Sequence, residues 1–221
     1  MNNIVLVLAG LPGVGKSTVI KCFQEMGFST KSQSNDVIQP SFVEEVNTHK
    51  KTGKGKHADF PYYLSLDGKP PFEMLEPHQW RQLDYALKAE LRSQITEHAW
   101  EMREKDNEAP AKKTMQIIDK YPAAVDSART EGDYSLYFDA EHPVKTFLLE
   151  IVADEDVRIA RVGEAAVKKG TLSTEQQMIK MLDIYRHKLE KQGRYICLEN
   201  NFEDIEHLKV AIKNIVLPKL I

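Results

Sequence analysis

The segment Gly10-Leu11-Pro12-Gly13-Val14-Gly15-Lys16-Ser17 constrains this chain more than any other feature. Before it runs Asn3-Ile4-Val5-Leu6-Val7-Leu8-Ala9, a continuous apolar stretch that reads as a central parallel strand buried on both faces. Behind it, Ser17 to Met26 reads as a helix that Gly27 stops. Strand, glycine turn and helix form the context in which the pattern GxxxxGK[ST] holds phosphate. The glycines let the backbone curl around phosphate oxygens with its N–H groups inward. Lys16 would place a positive charge on the β- and γ-phosphates, and Ser17 would offer a hydroxyl to Mg²⁺. The helix start aims its positive dipole end at the same point. Gly10, Leu11, Pro12, Gly13, Val14, Gly15, Lys16, Ser17 and Thr18 are thus the expected nucleotide-binding residues, with ATP and Mg²⁺ as the expected cofactors. A glycine turn without function leaves the lysine followed by Ser17-Thr18 unexplained.

The rest of the chain alternates between the same two patterns. Strands are expected at Phe28 to Gln33, at Ala123-Ala124-Val125-Asp126 after Pro122, at Val144 to Val152 and at Tyr195 to Leu198. A long helix is expected from Leu83 to Met102, with Pro110 beyond its end, and a short one at Met115 to Lys120. Another carries Arg158 and Arg161, and Thr174 to Lys191 is helical up to Gly193. Asp204 to Val216 should turn Ile205, Leu208, Ile212 and Ile215 towards the sheet. Such alternation argues for an α/β domain with a parallel sheet covered on both faces. With 221 residues, 42% hydrophobic and 29% charged, the chain is expected to form one such domain over 1–221.

Residues 40 to 80 break the pattern, being rich in proline and carrying Lys50-Lys51-Thr52-Gly53-Lys54-Gly55-Lys56-His57. They read as an irregular insertion. Four ammonium groups repel one another and two glycines raise the entropy of ordering, so this stretch is expected to be a mobile surface loop without an apolar anchor. It could order over an anionic acceptor. The aromatics Phe60, Tyr62, Tyr63, Phe72 and Trp80 either stack on an acceptor or pack locally. The seven histidines show no metal-ligand spacing, so zinc is not expected. Cys22 and Cys197 read as buried, reduced thiols. The apolar start is too short to span a membrane and lacks the basic flank of a signal peptide, so a cytoplasmic location without membrane contact is expected.

With the loop placed, the chain resembles the P-loop nucleotide and dephospho-coenzyme A kinase group, and phage deoxynucleoside monophosphate kinases share much of the plan. The resemblance rests on the loop, then Met26-Gly27-Phe28 leading to Asp36-Val37-Ile38, then Val125-Asp126-Ser127-Ala128-Arg129 with Glu131 behind it. Arg158 and Arg161 after the fourth strand and Leu198-Glu199-Asn200-Asn201 leaving the fifth complete it. It covers residues 1 to 38 and 115 to 216 and leaves 40 to 110 unmatched. It implies a P-loop NTPase three-layer sandwich with a five-stranded parallel sheet of order 2-3-1-4-5. It also implies an acceptor-binding lobe inserted at 40–110 and a lid at about 158–172.

Five residues join Lys16 as candidates. Asp36 can accept or position the acceptor hydroxyl proton, or simply cap the helix behind it. Asp126, at a strand end beside the loop, can hold the Mg²⁺ water shell, or be a turn residue. Arg129 can contact phosphates bidentately, or pair with Glu131 or Asp133. Arg158 and Arg161 share one helix face and can close over ATP, or form a solvated pair. Lys168 and Lys169 could assist from the lid, or simply be exposed.

Together these residues point to transfer of the ATP γ-phosphoryl group to a small acceptor. A nucleoside monophosphate, deoxy or not, and dephospho-coenzyme A come first. One rival is a kinase acting on a polynucleotide or a modified base within it, motivated by the basic stretch and opposed by the net charge of −3. The other is a nucleotide-binding switch without catalysis.

Overall fold

The computed structural model describes residues 3–58, 73, 82–83, 85–126, 128–164, 167 and 174–220. The chain divides into two compact units, residues 1–33 with 111–221 and residues 34–110.

The first unit is built on β1 (Ile4–Ala9). Every residue of β1 is buried; β3 (Ala123–Asp126) pairs along one edge of it and β4 (Lys145–Val152) along the other. β2 (Ser29–Ser32) extends the sheet beyond β3, and β5 (Tyr195–Glu199) extends it beyond β4. All four pairings are parallel and the order is β2-β3-β1-β4-β5. Successive side chains of a strand point to opposite faces, so β1 serves two cores. Ile4, Leu6 and Leu8 pack with Val19, Phe23, Leu208 and Ile212 on one face. Val5, Val7 and Ala9 pack with Tyr134, Tyr137, Tyr185 and Leu189 on the other. The first face is covered by α1 (Lys16–Glu25), with Val19, Cys22 and Phe23 buried. Each fully buried side chain of this size contributes about 1.5–3 kcal/mol over its exposed state. The architecture is the three-layer α/β sandwich of P-loop NTPases.

The second unit departs from expectation. Residues 40 to 52 are not irregular but form α2 (Gln39–Thr52), which packs Phe42 and Val46 against Leu91 of α3 (Tyr85–Lys105). Pro40 sits in the first turn of α2, where the missing N–H would have no helical acceptor anyway. The same logic places Pro110 in the first turn of α4 (Ala109–Gln116), a helix that lies earlier than the expected Met115 to Lys120. The basic stretch is anchored, contrary to the expected loose loop. Lys50 and Lys51 belong to the last turn of α2, and Gly53 closes it at φ 64. Lys56 reaches Glu101 at 2.5 Å, and His57 is buried edge-on against Phe42. The aromatics from Phe60 to Trp80 lie outside the described residues.

The terminal helix also differs. It is α8 (Ile205–Ala211), capped by Asp204 accepting from the His207 N–H. A π turn follows at Ile212–Val216 and a 3₁₀ turn at Leu217–Leu220. Leu208, Ile212 and Val216 are buried, while Ile205 and Ile215 face outward. Cys22 is buried as expected, but Cys197 is exposed on β5. No helix among the described residues is long and apolar enough to cross a membrane.

Candidate active site

The loop between β1 and α1 is defined by what its carbonyls do. Lys16 Nζ donates to Gly10 O at 2.7 Å and to Leu11 O at 3.3 Å. Arg158 Nε donates to Pro12 O at 2.8 Å, Arg161 Nη1 to Gly13 O at 3.3 Å, and Asn200 Nδ2 to Val14 O at 2.7 Å. The Gly15 carbonyl accepts from the N–H groups of Thr18 and Val19, both at 3.0 Å. Every carbonyl from Gly10 to Gly15 is therefore consumed. The first N–H groups of a helix have no partner in their own helix, so donors dominate at the mouth of α1. Such an arrangement can receive an anion.

Two glycines make this geometry possible. Gly15 stands at φ 87, and a Cβ there would fall 2.4 Å from Asn200 Nδ2. Gly13, at φ 82, lies where a Cβ would press on the Arg158 carbonyl oxygen at 3.0 Å. Lys16 is half-buried, while Ser17 and Thr18 are exposed. Beside them opens a cleft of about 490 Å³, lined among others by Gly15, Lys16, Ser17, Thr18, Arg161 and Phe202.

Arg158 and Arg161 come from α6 (Glu155–Val162), which follows β4. Their shared face is turned towards the loop. Arg158 is buried, and Arg161 also donates to Phe202 O at 3.0 Å. Of the lid expected at about 158–172, residues 165–166 and 168–172 lie outside the described set, and Lys168 and Lys169 with them.

Asp126 ends β3, half-buried, in register with Leu8 of β1 and Ser32 of β2. Arg129 is exposed just before α5 (Glu131–Phe138). Asp133 is fully buried and takes the backbone N–H groups of Arg129 and Thr130 at 3.0 and 3.1 Å, completing a capping box with Thr130. Asp36 is exposed and lies in a π turn, Gln33–Ile38, beyond the strand end where the sequence placed it. The cap residue of α2 is Ile38, two residues beyond Asp36.

Sequence reasoning gave no site role to two buried polar groups of this unit. Asn200 reaches the loop from 186 residues away. Glu150, near the end of β4, is buried and holds Arg186 through two oxygens at 2.8 and 3.1 Å and the Tyr195 hydroxyl at 2.6 Å. Arg186 belongs to α7 (Thr174–Lys191), so this cluster pins that helix to the sheet.

In the 34–110 unit the structure gathers three histidines that the sequence leaves apart. His57 Nε2 is 3.3 Å from Glu45 Oε1, and His98 Nδ1 is 3.1 Å from Glu45 Oε2. His49 stacks near His57 with ring centroids 5.4 Å apart. Burial pushes the ring pKa of His57 and of His98 down, against the opposing pull of the Glu45 carboxylate.

No protein-family model matches the chain, and no curated protein matches it in sequence. Among solved structures it is similar to a dephospho-CoA kinase from Campylobacter jejuni, at 12% identity and TM-score 0.42, over 97% of this chain and 96% of that one. It is also similar to a shikimate kinase from Acinetobacter baumannii in complex with shikimate, at 14% identity and TM-score 0.44, over 99% and 94%. A third is a sugar kinase from Janibacter, at 12% identity and TM-score 0.42, over 99% and 98%.

Proposed function

We propose that the protein transfers the γ-phosphoryl group of ATP to a small acceptor, with a nucleoside or deoxynucleoside monophosphate or a dephospho-coenzyme A-like metabolite as the first candidates. The observation that carries this reading is the loop whose carbonyls are all tied off, with Lys16, Arg158 and Arg161 bound to it. Three cations at a helix N-terminus suit a polyphosphate, and transfer of a phosphoryl group needs positioned positive charge more than covalent chemistry. The residues also fit Mg²⁺. The Ser17 hydroxyl is exposed at the start of α1, and the Asp126 carboxylate ends the neighbouring strand. Both offer the hard oxygen donors that ion prefers, and bound there it would neutralise charge on the phosphates. Arg129, exposed before α5, and Asp36 keep their proposed roles, as a phosphate contact and as the group that orients the acceptor hydroxyl. The unit of residues 34–110 is the proposed acceptor lobe, and the segment from α6 onward the proposed lid.

In the basic stretch that motivates the polynucleotide alternative, Lys56 is engaged by carboxylates, while Lys51 and Lys54 are exposed. The test is ADP release with Mg²⁺ across a panel of nucleotides, coenzyme A precursors and small hydroxylated metabolites. Stimulation by one acceptor class, lost in Lys16→Ala, supports the proposal. Slow hydrolysis indifferent to every acceptor removes it.

A further inference from the structure

Glu45 and His49 stand one turn apart on α2, and His57 folds back onto them from the turn that follows. Their ligand atoms, one from each residue, all lie within 4.8 Å of one another. Ligand atoms around a tetrahedral zinc ion, bound at about 2.0–2.1 Å, are roughly 3.3–3.5 Å apart. The 3.3 Å between His57 Nε2 and Glu45 Oε1 meets that spacing already. His49 Nδ1 is buried and makes no hydrogen bond among the described residues. Burying a ring nitrogen in that way is costly unless it finds a partner.

The neighbours hold this trio in place. His98 Nδ1 faces the second oxygen of Glu45 at 3.1 Å, and His98 Nε2 meets Ser41 Oγ at 3.1 Å. His98, met at Nε2 by Ser41, stands beside the carboxylate where outer partners stand at metal centres, with its Nδ1 making no hydrogen bond among the described residues. A second cluster shares Glu45 with His98 and Glu101. There the Glu101 carboxylate is already engaged by Lys56 at 2.5 Å, which favours Glu45, His49 and His57 as the ligand set.

Charge points the same way. Lys56 lies within 3.9 Å of Glu45, Glu97 and Glu101, so three carboxylates surround one ammonium group. The surplus of two negative charges is what a dication cancels. The geometry points to a divalent transition-metal site, formed by Glu45, His49 and His57 with a water as fourth ligand and Zn²⁺ as the fitting ion. Two imidazoles favour a borderline ion such as Zn²⁺ over Mg²⁺ or Ca²⁺. The site lies within the 34–110 unit, owes nothing to the phosphate loop, and would clasp the glycine-containing turn 53–57 to the helix before it.

The experiment uses the full chain, stripped with a chelator and titrated with Co²⁺ in the absence of nucleotide. One equivalent should produce the strong visible absorption of a tetrahedral cobalt centre, and one equivalent of Zn²⁺ should abolish it. Excess Mg²⁺ should not. His49→Asn and His57→Asn should each lose the band, and His98→Gln should keep it with affinity weakened about 10–100-fold. Circular dichroism confirms that each variant is folded before its spectrum is read. A wild-type spectrum no stronger than that of the hydrated ion overturns the inference without recourse to any variant. So does a band that survives in the folded His49→Asn/His57→Asn double variant. Failure here leaves the phosphotransfer proposal untouched, because that assay needs only Mg²⁺ and ATP.

Discussion

The phosphate loop and the histidine cluster are both polar sites held by side chains from distant segments, yet they are built in opposite ways. In the loop the backbone would be the binding surface, and the side chains of Lys16, Arg158, Arg161 and Asn200 serve it by occupying its carbonyls. In the cluster the side chains would be the binding surface, and the helices α2 and α3 serve them by bringing Glu45, His49, His98 and Glu101 together. A backbone site needs particular residue types in an unbroken run, which a sequence displays. A side-chain site needs only the right few residues on packed faces, and their spacing along the chain carries no mark of it.

The largest effect that separates the two regions should come from Lys16→Ala. Turnover of ATP should fall by at least about 100-fold, the usual loss when a donor to developing charge is removed. Thermal stability should hold within a few degrees, since Lys16 bonds to loop carbonyls and packs in no core. Near-normal turnover would mean that the loop does not hold the donor.

Gly15→Ala should come next and act on both fold and binding. The residue would be forced to keep φ 87 with a Cβ 2.4 Å from the Asn200 amide. A side chain held at such a backbone angle costs about 1–3 kcal/mol. In a domain of this size each kcal/mol lowers the midpoint by about 2–4 °C. Adding Asn200→Ala removes the collision but not the strained angle, so the double variant should recover part of the loss and no more. Full recovery in a calorimetric scan would show that the φ angle is not the constraint.

A third, smaller effect should appear as a pH dependence confined to the cluster. His57 and His98 have ring pKa values held below the ordinary 6.5 by burial. Just below pH 6.5 the unfolded chain therefore binds more protons than the folded one, and stability must fall as pH drops through that window. Glu45, Glu101, Lys56 and His49 face these rings and set how far it extends. Hydrogen exchange of α2 and α3 between pH 7.5 and 5.5 should report the loss, and His98→Gln should flatten it. A wild-type profile already flat would contradict the neutral, buried rings.

The smallest effect should be Lys56→Ala. Its partner Glu101 is a third exposed, and exposed pairs contribute no more than about 1 kcal/mol. A loss of several kcal/mol in a denaturant titration would show that the ammonium group, and no metal, is what balances the carboxylates.

The same contrast explains what could be read from the chain. Ile4 to Ala9 is apolar without interruption because the strand is covered on both faces, so the central strand and the loop behind it were evident. The shared face of Arg158 and Arg161 followed from their spacing. Asn200 was not legible as a loop ligand, since an amide bound to a carbonyl 186 residues earlier leaves no local trace. Pro40 and the lysines masked α2, because a proline in a first turn and lysines in a last turn are favourable there, yet composition alone reads them as loop. His98 stands 57 residues from Ser41, and only the packing of Phe42, Val46 and Leu91 brings their helices into register.

The tied-off carbonyls of the loop also bear on when ordering entropy is lost. Fixing a residue's backbone costs about 1–2 kcal/mol. Between Gly10 and Gly15 the side chains of Lys16, Arg158, Arg161 and Asn200, with the first turn of α1, hold each peptide in place. That entropy is surrendered during folding and is not owed again on association. Nucleotide capture at this loop should therefore be fast, with little structural relaxation after encounter. Loosening any one anchor should appear chiefly as a less favourable entropy of binding, measurable by titration calorimetry, even where the contacts to phosphate are unchanged.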